Sequence, residues 1–428
     1  MIGSTIDLVL RNVRVPRTLL AEPAFDGITP TSDCLIGDLR FVAGRAVGFF
    51  APGMAPASAA EYDLAQRLVL PRLVEAHCHL DKCHTVTRLA AVGGDLHAAI
   101  DAQRRDKAHW SADDIRRRAG RGLDELAHAG CGVVRTHIDW EIEQITAGQL
   151  PTAWPVLGEL AAEQAGRLVL QRSALMPVEL FADRAGAERA VRQIADQPGA
   201  VLGVFVFNQP QKHSWLHLAF ELAAAYGLPL DFHVDEGLSA GLDGLQTIAE
   251  LAIQTRFTLP VLCGHACSLA NLSGEPLQST LEQVAAAGLG IVSLPTTNLY
   301  LQDRQAGTPQ RRGITRLREL AAAGIPILIG SDNVADAFCP LGVHDPLASL
   351  ATAALTAHLD PPYGRWLPAI TSVARQMLGL PPIFVDQASI EDLLVADAGS
   401  TAELVAGAPR RPITEIGTGL PAWRRPAL

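Results

Sequence analysis

The sequence predicts a (β/α)8 TIM barrel with a small β-sandwich domain formed by the N- and C-terminal segments. Three observations predict this fold: the length of 428 residues, the alternation of short apolar runs with amphipathic stretches between about 68 and 360, and strand-like segments at both ends. With 48% hydrophobic and 19% charged residues, the chain can bury a large core. We expect 1–67 and 385–428 to form the sandwich and 68–384 to form the barrel.

Eight short apolar runs bounded by Gly or Pro are typical of strands buried in a parallel sheet. In chain order they span 68–77, 131–137, 168–177, 200–208, 229–236, 260–267, 290–298 and 325–333. Strands that alternate with helices in this way favour a barrel, in which the chemistry lies at the carboxyl ends of the strands. An open doubly wound sheet is the alternative that the same alternation permits.

The amphipathic stretches between these runs predict helices. Ser111 and Asp114 form a capped start for a helix over 115–128, and Gly130 follows its end. Ala-rich segments followed by Gly are typical helix ends, and they occur after several of the other expected helices, over 184–197, 215–226, 245–254, 277–287 and 314–323.

The two ends of the chain differ from the middle. Segments 6–15, 34–50, 392–397 and 412–418 read as short strands with turn residues between them. Because domain termini often lie close together, we expect these segments to pair into one small domain. Residues 421–428 are expected to form a loose tail.

The charge of the chain excludes some classes of partner. Asp and Glu number 45 against 35 Lys and Arg, so the net charge is −10, which argues against nucleic acid or an anionic membrane as a partner. We find no apolar run of about 18 residues and no signal-peptide pattern at the start. Seven scattered cysteines indicate a reducing cytoplasm. Lysine is rare, at Lys82, Lys107 and Lys212.

Metal-ligating side chains stand at the ends of several predicted strands. His77 and His79 point to the same side of an extended chain, so both imidazoles can reach one ion. His233 after the fifth strand and Asp332 after the eighth can complete the shell and leave a position for water. The sequence therefore predicts one divalent metal ion, and these ligands suit zinc or iron equally.

Other residues near these strand ends have less specific interpretations. His265 ends the sixth strand at the same rim. His137 ends the second strand, and two roles remain open for it: a hydrogen bond to a metal ligand, or packing in the core. Cys78, Cys263 and Cys267 are interpreted as small apolar side chains rather than ligands.

Several motifs resemble the amidohydrolase superfamily, particularly its cytosine-deaminase-like branch. The stretch Leu-Val-Leu-Pro-Arg-Leu-Val-Glu-Ala-His-Cys-His-Leu-Asp-Lys at 68–82 is the first of them. Further matches follow in the same order along nearly the whole chain, at 134–139, 232–236, 264–265, 298–302, 311–316 and 330–342.

The resemblance implies a role for each matching residue. His77, His79, His233 and Asp332 would ligate one zinc or iron ion. Glu236 would move protons to the substrate ring and to the leaving amine. His265 would orient the hydroxide and polarise the substrate, and Asp332 would also accept a proton from water. The expected reaction converts a ring carbon that carries an amino group into a carbonyl, with release of ammonia or an amine.

Departures from the cytosine deaminase pattern concern the substrate. Val178 stands where those enzymes have a glutamine, Asn333 replaces the second of two aspartates, and Phe338 corresponds to a tryptophan. Loss of a carboxamide that pairs with the base disfavours cytosine itself. The strand end Ser-Asp-Asn and the motif His-Leu-Asp-Lys are similar to N-isopropylammelide aminohydrolases. We take Val178, Asn298, Asn333 and Phe338 as the candidate substrate-binding residues.

The sequence therefore predicts a mononuclear metal-dependent aminohydrolase of a small nitrogen heterocycle or cyclic amidine, located in the cytoplasm. The oligomeric state is open between a monomer and a homo-oligomer. One alternative is a cyclic-amide hydrolase with two metals bridged by a carboxylated lysine. It requires a lysine at the end of the fourth strand, where the nearest one is Lys212. A more remote alternative is a non-catalytic barrel that only binds metal.

Overall fold

The computed structural model describes residues 7–22, 25, 33–58, 60–90 and 92–415. Among these residues the strands in chain order are β1 (Leu8–Pro16), β2 (Cys34–Val42), β3 (Arg45–Phe50), β4 (Ala60–Asp63), β5 (Leu68–Pro71), β6 (Leu73–Cys78), β7 (Cys131–Asp139), β8 (Val169–Pro177), β9 (Ala200–Val206), β10 (Leu230–Val234), β11 (Val261–His265), β12 (Gly290–Ser293), β13 (Ile327–Ile329), β14 (Leu393–Ala396) and β15 (Arg410–Pro412). The α-helices of the same part of the chain are α1 (Leu96–Asp106), α2 (Ala112–His128), α3 (Ile142–Thr146), α4 (Ala153–Glu163), α5 (Arg184–Ala195), α6 (Lys212–Tyr226), α7 (Gly244–Gln254), α8 (Gly274–Ala286), α9 (Pro295–Leu301), α10 (Leu317–Ala322), α11 (Pro346–Thr356), α12 (Ser372–Met377) and α13 (Thr401–Val405).

Strands β6 to β13 form a parallel sheet in which each strand pairs with the next along the chain. The sheet closes on itself where Cys78 and Asp332 form a parallel bridge and the Asp332 N–H donates to the His77 carbonyl at 2.8 Å. The TIM barrel predicted from the alternation is confirmed, and its closure brings the ends of the first and last strands together.

Local sequence signals account for the barrel's elements. Every residue of β10 and β11 is buried, which explains their continuous apolar runs. The Ser111 hydroxyl accepts the Asp114 N–H at the start of α2, and Gly130 adopts a φ of +89° just after its end. The capped helix that the sequence predicts is therefore present.

The small sheet joins both ends of the chain. Its strands run in the order β15, β14, β5, β1, β2 and β3, with β4 also pairing with β1. The central contact between the two ends is the antiparallel pair of β5 and β14, in which Leu70 lies opposite Leu394. The expected tail at 421–428, and residues 416–418 of the last expected strand, lie outside the described residues.

The first and seventh predicted strand runs each extend over more than one element of the structure. The first run is split, because β5 belongs to the small sheet and only β6 belongs to the barrel. The seventh run ends at Ser293, and the helix α9 follows it with Pro295 in its first turn. Proline is favoured at that position because the first turn of a helix does not need its N–H.

None of the helices within the described ranges combines the length and the apolar character needed to cross a membrane.

Candidate active site

A cavity of about 470 Å³ lies at the carboxyl ends of the barrel strands. Its wall contains most of the site residues that the sequence singles out, namely His79, His233, Glu236, His265, Asp332, Asn333 and Phe338. His77 lies directly beneath them, fully buried. The strand ends therefore converge as a barrel requires.

Three imidazole nitrogens meet beneath this cavity. The Nε2 atom of His233 lies 3.1 Å from Nε2 of His77 and 3.2 Å from Nε2 of His79. Burial lowers the pKa of His79 to about 3 and the pKa of His233 well below its usual range, so both rings are neutral. A neutral imidazole carries one N–H, and three such nitrogens facing one another suit a shared cation better than mutual hydrogen bonds.

The carboxylate of Asp332 completes this group. Its Oδ1 atom lies 3.2 Å from Nε2 of His79 and 3.5 Å from Nε2 of His77. Burial alone would raise the pKa of Asp332, but the contacts with these two histidines outweigh it and hold the pKa well below its usual range. The set thus offers three imidazoles and one carboxylate, a donor set that fits a divalent zinc or iron ion.

Two further histidines lie within reach of the same centre. Potential ligand atoms of His77, His233, His265 and Asp332 all lie within 4.8 Å of one another, and so do those of His77, His79, His137 and His233. The ring of His137 lies against His77 with centroids 3.9 Å apart and the ring planes tilted by 33°. Its Nε2 lies 3.3 Å from Asp231 Oδ1.

The interior of the barrel below the histidines is polar. Arg135 is fully buried and donates to Asp231 Oδ2 at 2.8 Å and to Gln171 Oε1 at 2.7 Å. Arg135 precedes His137 by two residues on β7, and Asp231 precedes His233 by two residues on β10. Because side chains alternate along a strand, each pair shares a face, and the buried ion pair lies one layer below the histidines.

Unusual backbone dihedral angles set the direction of the side chains at the strand ends. Asp235, His265 and Asp332 adopt φ values of +51°, +68° and +60°, in the left-handed region that residues other than glycine rarely enter. Small residues leave room beside them: a Cβ on Gly264 would lie 3.1 Å from Cε1 of His77.

Glu236 lies two residues beyond the end of β10. Burial raises the pKa of its carboxyl well above the usual range, and the nearby Asp332 adds to this effect. Its Oε2 lies 3.6 Å from Nε2 of His265. Its neighbour Asp235 accepts the backbone N–H groups of Gly244 and Leu245, and this contact anchors the loop that carries Glu236 to the start of α7.

His265 has a fixed orientation. Asn298, on α9, lies with Nδ2 3.0 Å from Nδ1 of His265, and Thr315 donates to the His265 carbonyl at 2.7 Å. With the Asn298 amide as donor, the His265 proton is on Nε2, which faces Glu236. Burial lowers the pKa of His265 to about 3, so the ring is neutral.

The four candidate substrate-binding residues lie in different places. Asn333 and Phe338 line the cavity, and the Asn333 amide donates to Asp336 at 2.7 Å. Asn298 is fully buried behind His265 and contacts that ring rather than the cavity. Val178 is fully buried in the apolar core, and its neighbour Pro177 lines the cavity instead.

Sequence reasoning missed a charged cluster on the cavity wall. Asp139, at the end of β7, accepts from Lys82 Nζ at 2.8 Å and from Gln103 Nε2 at 2.6 Å, and Lys107 Nζ lies 3.1 Å away. All of these residues line the cavity. The available signal was the rarity of lysine, since two of the three lysines meet here.

The third lysine lies elsewhere. Lys212 begins α6, and its Nζ contacts Asn208 Oδ1 at 3.2 Å and Asp243 Oδ1 at 2.7 Å. It is absent from the residues that line the cavity.

Comparisons with known proteins identify the family of the chain. A family model described as "Amidohydrolase family" matches residues 96–382. The chain is 35% identical over 378 residues to a pterin deaminase of Rhizobium rhizogenes (strain K84 / ATCC BAA-868), which covers 88% of this chain and 84% of that relative. It is 25% identical over 330 residues to N-isopropylammelide isopropyl amidohydrolase of Pseudomonas sp. (strain ADP), with coverage of 75% and 77%.

A similar solved structure is 5-methylcytosine deaminase from Klebsiella pneumoniae liganded with 5-fluorocytosine. It has a TM-score of 0.78 and 26% identity, and the match covers 95% of this chain and 96% of that chain. The resemblance to cytosine-deaminase-like and N-isopropylammelide enzymes is confirmed. The chain therefore belongs to the amidohydrolase family and is a hydrolase that acts on carbon–nitrogen bonds.

Proposed function

We propose that the chain is a metal-dependent deaminase of a pterin-type heterocycle, which it hydrolyses to a ring carbonyl and ammonia. The observation that carries the proposal is the position of Glu236, whose buried carboxyl lies beside His265 on the wall of a cavity that His79, His233 and Asp332 also line. The 35% identity to a pterin deaminase supports the class of substrate. The cavity volume of about 470 Å³ is within the usual range for a small-molecule site.

One divalent ion would be held by Nε2 of His77, His79 and His233 and by the carboxylate of Asp332. The contacts of 3.1 to 3.5 Å among these atoms support this assignment. When bound, the ion lowers the pKa of a water molecule and so supplies a nucleophile at neutral pH.

Glu236 moves the protons in the proposed reaction. Hydrolysis transfers one proton of water to a ring nitrogen and the other to the leaving amine, so a group at the substrate ring must both donate and accept. Burial raises the pKa of the Glu236 carboxyl, which favours the protonated form that can donate first to the ring nitrogen. The resulting carboxylate then takes one proton from water and delivers it to the amine. The second water proton passes by way of Asp332 to Glu236 and restores its protonated form.

His265 polarises the ring carbon under attack. Its Nε2–H is held toward the cavity by the contact between Asn298 and Nδ1. A neutral donor in a buried site stabilises negative charge that develops on the oxygen without introducing a competing charge.

The far wall of the cavity would hold the rest of the substrate. Phe338 and Phe205 supply apolar surface, and the ammonium of Lys82 lies 5.3 Å from the centroid of Phe338. Because the Asn333 amide N–H is engaged by Asp336, its Oδ1 atom is the one suited to accept from a substrate N–H. We propose Lys82, Asn333 and Phe338 as substrate contacts.

A test measures ammonia release by metal-loaded protein from pterin, cytosine, 5-methylcytosine and an N-alkylammelide. We expect turnover of pterin to exceed that of the monocyclic rings. Glu236→Gln should abolish turnover while the protein keeps its metal, and Glu179→Gln, outside the cavity, serves as the matched control. Full activity in Glu236→Gln would remove Glu236 from the mechanism, and ring opening of a cyclic amide without ammonia release would contradict the deaminase.

The two-metal cyclic-amide hydrolase is the alternative to this proposal. Its bridging lysine would have to be Lys212, the first residue of α6. The ammonium of Lys212 is already paired with the carboxylate of Asp243. A second ion per chain that is lost in Lys212→Met would favour this alternative. The cytoplasmic location and the homo-oligomer stay predictions.

A further inference from the structure

A second cluster of metal-ligating side chains lies apart from the cavity. His84, Glu125 and His344, which we call the peripheral cluster, offer ligand atoms that all lie within 4.8 Å of one another. Glu125 Oε2 lies 3.1 Å from Nε2 of His84 and 2.8 Å from Nδ1 of His344. The residues lining the cavity include none of these three.

The spacing within the peripheral cluster is close to that of a metal shell. Zinc bonds of 2.0–2.1 Å in a tetrahedral arrangement place neighbouring ligand atoms about 3.3 Å apart. The two contacts of Glu125 differ from this value by a few tenths of an ångström. Small side-chain rotations would therefore suffice to admit an ion.

The surroundings of the cluster suit a ligand set. The side chain of His344 is fully buried, and its Nε2 has no hydrogen-bond partner among the described residues, so Nδ1 is the nitrogen that meets the other polar groups. The side chain of Glu125 is 34% exposed, which leaves a path for an ion and for a water ligand. Arg121, whose side chain is mostly exposed, donates to the other Glu125 oxygen at 2.8 Å.

The three residues come from three separate parts of the barrel. His84 lies on the loop after β6, Glu125 on α2 and His344 on the loop between β13 and α11. The same two loops already contact each other through the His84 N–H and the Val334 carbonyl at 3.0 Å, and through the Val86 N–H and the Ala335 carbonyl at 2.9 Å. A link at this point would join the loops that carry Lys82 and Phe338.

We propose that the peripheral cluster is a second metal site, in which His84, Glu125 and His344 bind one zinc ion that ties the loop after the first barrel strand to the loop after the last. Two imidazoles and a carboxylate form a ligand set that zinc accepts, with water in the fourth position. On binding, each imidazole presents its inward nitrogen as a lone pair, and its proton moves to the outer ring nitrogen.

The test compares zinc content after dialysis of metal-free protein against buffered zinc alone. His84→Asn removes one ligand while tolerating the left-handed backbone at this position, where φ is +58°. Glu125→Gln is a second variant on a different element, and Arg121→Ala is the matched control, because it removes a partner of Glu125 that is not a ligand. We expect the parent and Arg121→Ala to hold one more zinc equivalent per chain than His84→Asn and Glu125→Gln.

The expected difference in zinc content between the parent and the two ligand variants does not depend on how much metal the cavity site holds, because that site is the same in all of them. Added zinc should also raise the melting temperature of the parent more than that of His84→Asn, because an ion bound to the folded state stabilises it. Equal zinc content in the parent and in both ligand variants would overturn the proposal. A second equivalent that is lost in Lys212→Met but kept in His84→Asn would overturn it as well.

Discussion

Lys82 donates from Nζ to Asp139 Oδ1 at 2.8 Å and so joins the loop after β6 to the end of β7 on the cavity wall. Asp139 is held ionised by this contact, because the nearby Lys82 and Lys107 outweigh its burial and keep its pKa far below the usual range. The pair fixes an ammonium at the place where the proposed substrate would lie.

Lys82→Met should therefore reduce kcat/KM for the proposed substrate. Loss of a charged hydrogen bond costs about 1.5–3 kcal/mol, which corresponds to a reduction of about 10- to 150-fold. Lys212→Met is the matched control, because Lys212 pairs with Asp243 away from the cavity, and it should keep kcat/KM within about twofold. Equal effects of the two substitutions would argue against a substrate contact by Lys82.

Gly264→Ala should weaken metal binding in the cavity. The new Cβ would lie 3.1 Å from Cε1 of His77, so the ring would have to move by a few tenths of an ångström. We expect a lower zinc content after dialysis against limiting zinc. Gly120→Ala on α2 is the control, since its Cβ would meet no atom within 4 Å, and alanine is the better helix former. Unchanged zinc content in Gly264→Ala would show that the ring has room.

Asp231→Asn should destabilise the protein strongly. The substitution leaves Arg135 fully buried without its charged partner, and breaking such a pair costs about 3–5 kcal/mol of unfolding free energy. Urea denaturation of the metal-free proteins measures the effect. The double variant Arg135→Met/Asp231→Leu should recover part of the loss, because it removes both charges. A double variant less stable than Asp231→Asn would contradict this account.

Asp336 should make stability depend on pH near neutrality. Burial raises the pKa of its carboxyl to about 7, against a usual value of 3.8. The folded state therefore binds more protons than the unfolded state between these values, and the free energy of unfolding falls as pH rises from about 4 to about 7. The contribution is at most about 1.4 kcal/mol per pH unit.

Asp336→Asn should remove this contribution, so the stability difference between variant and parent should change across pH 4.5–8 in urea titrations. Asp303→Asn is the control. Hydrogen bonds from the Arg311 N–H and its neighbours lower the pKa of Asp303 to about 2, so its contribution is lost only below pH 4. A difference for Asp336→Asn that stays flat across pH 4.5–8 would contradict the raised pKa.

The barrel and the histidine centre follow from local patterns. Each strand of a parallel barrel is buried on both faces, and this leaves apolar runs that end at the rim, so His77, His79, His233 and Asp332 could be assigned to one place from their positions alone. The split between β5 and β6 could not be seen, because both strands are buried along their whole length and only Arg72 separates them. The partner that separates them, β14, lies far along the chain.

The charged cluster on the cavity wall and the peripheral cluster could not be predicted from the sequence, because tertiary contacts bring their residues together. Lys82 lies on the loop after β6 and Asp139 ends β7. Both belong to motifs that the sequence analysis quotes, but nothing in those motifs shows that the two side chains pair. Val178 is a candidate substrate contact only because it occupies the sequence position of the glutamine in cytosine deaminases. The short helical turn after β8 directs its side chain into the core and presents Pro177 to the cavity instead. The conformation of such a turn depends on tertiary packing, and the pattern of apolar residues in a strand carries no information about that packing.

The closure of the barrel between its first and last strands has a consequence for the order in which the protein folds during synthesis. The Asp332 N–H bonds the His77 carbonyl, and β5 finds its partner β14 only near the other end of the chain. A ribosome releases His77 and His79 long before their partners emerge. The metal centre and the small sheet must therefore assemble after most of the chain has left the ribosome, and a truncated nascent chain would expose unpaired strand edges and incomplete ligand sets.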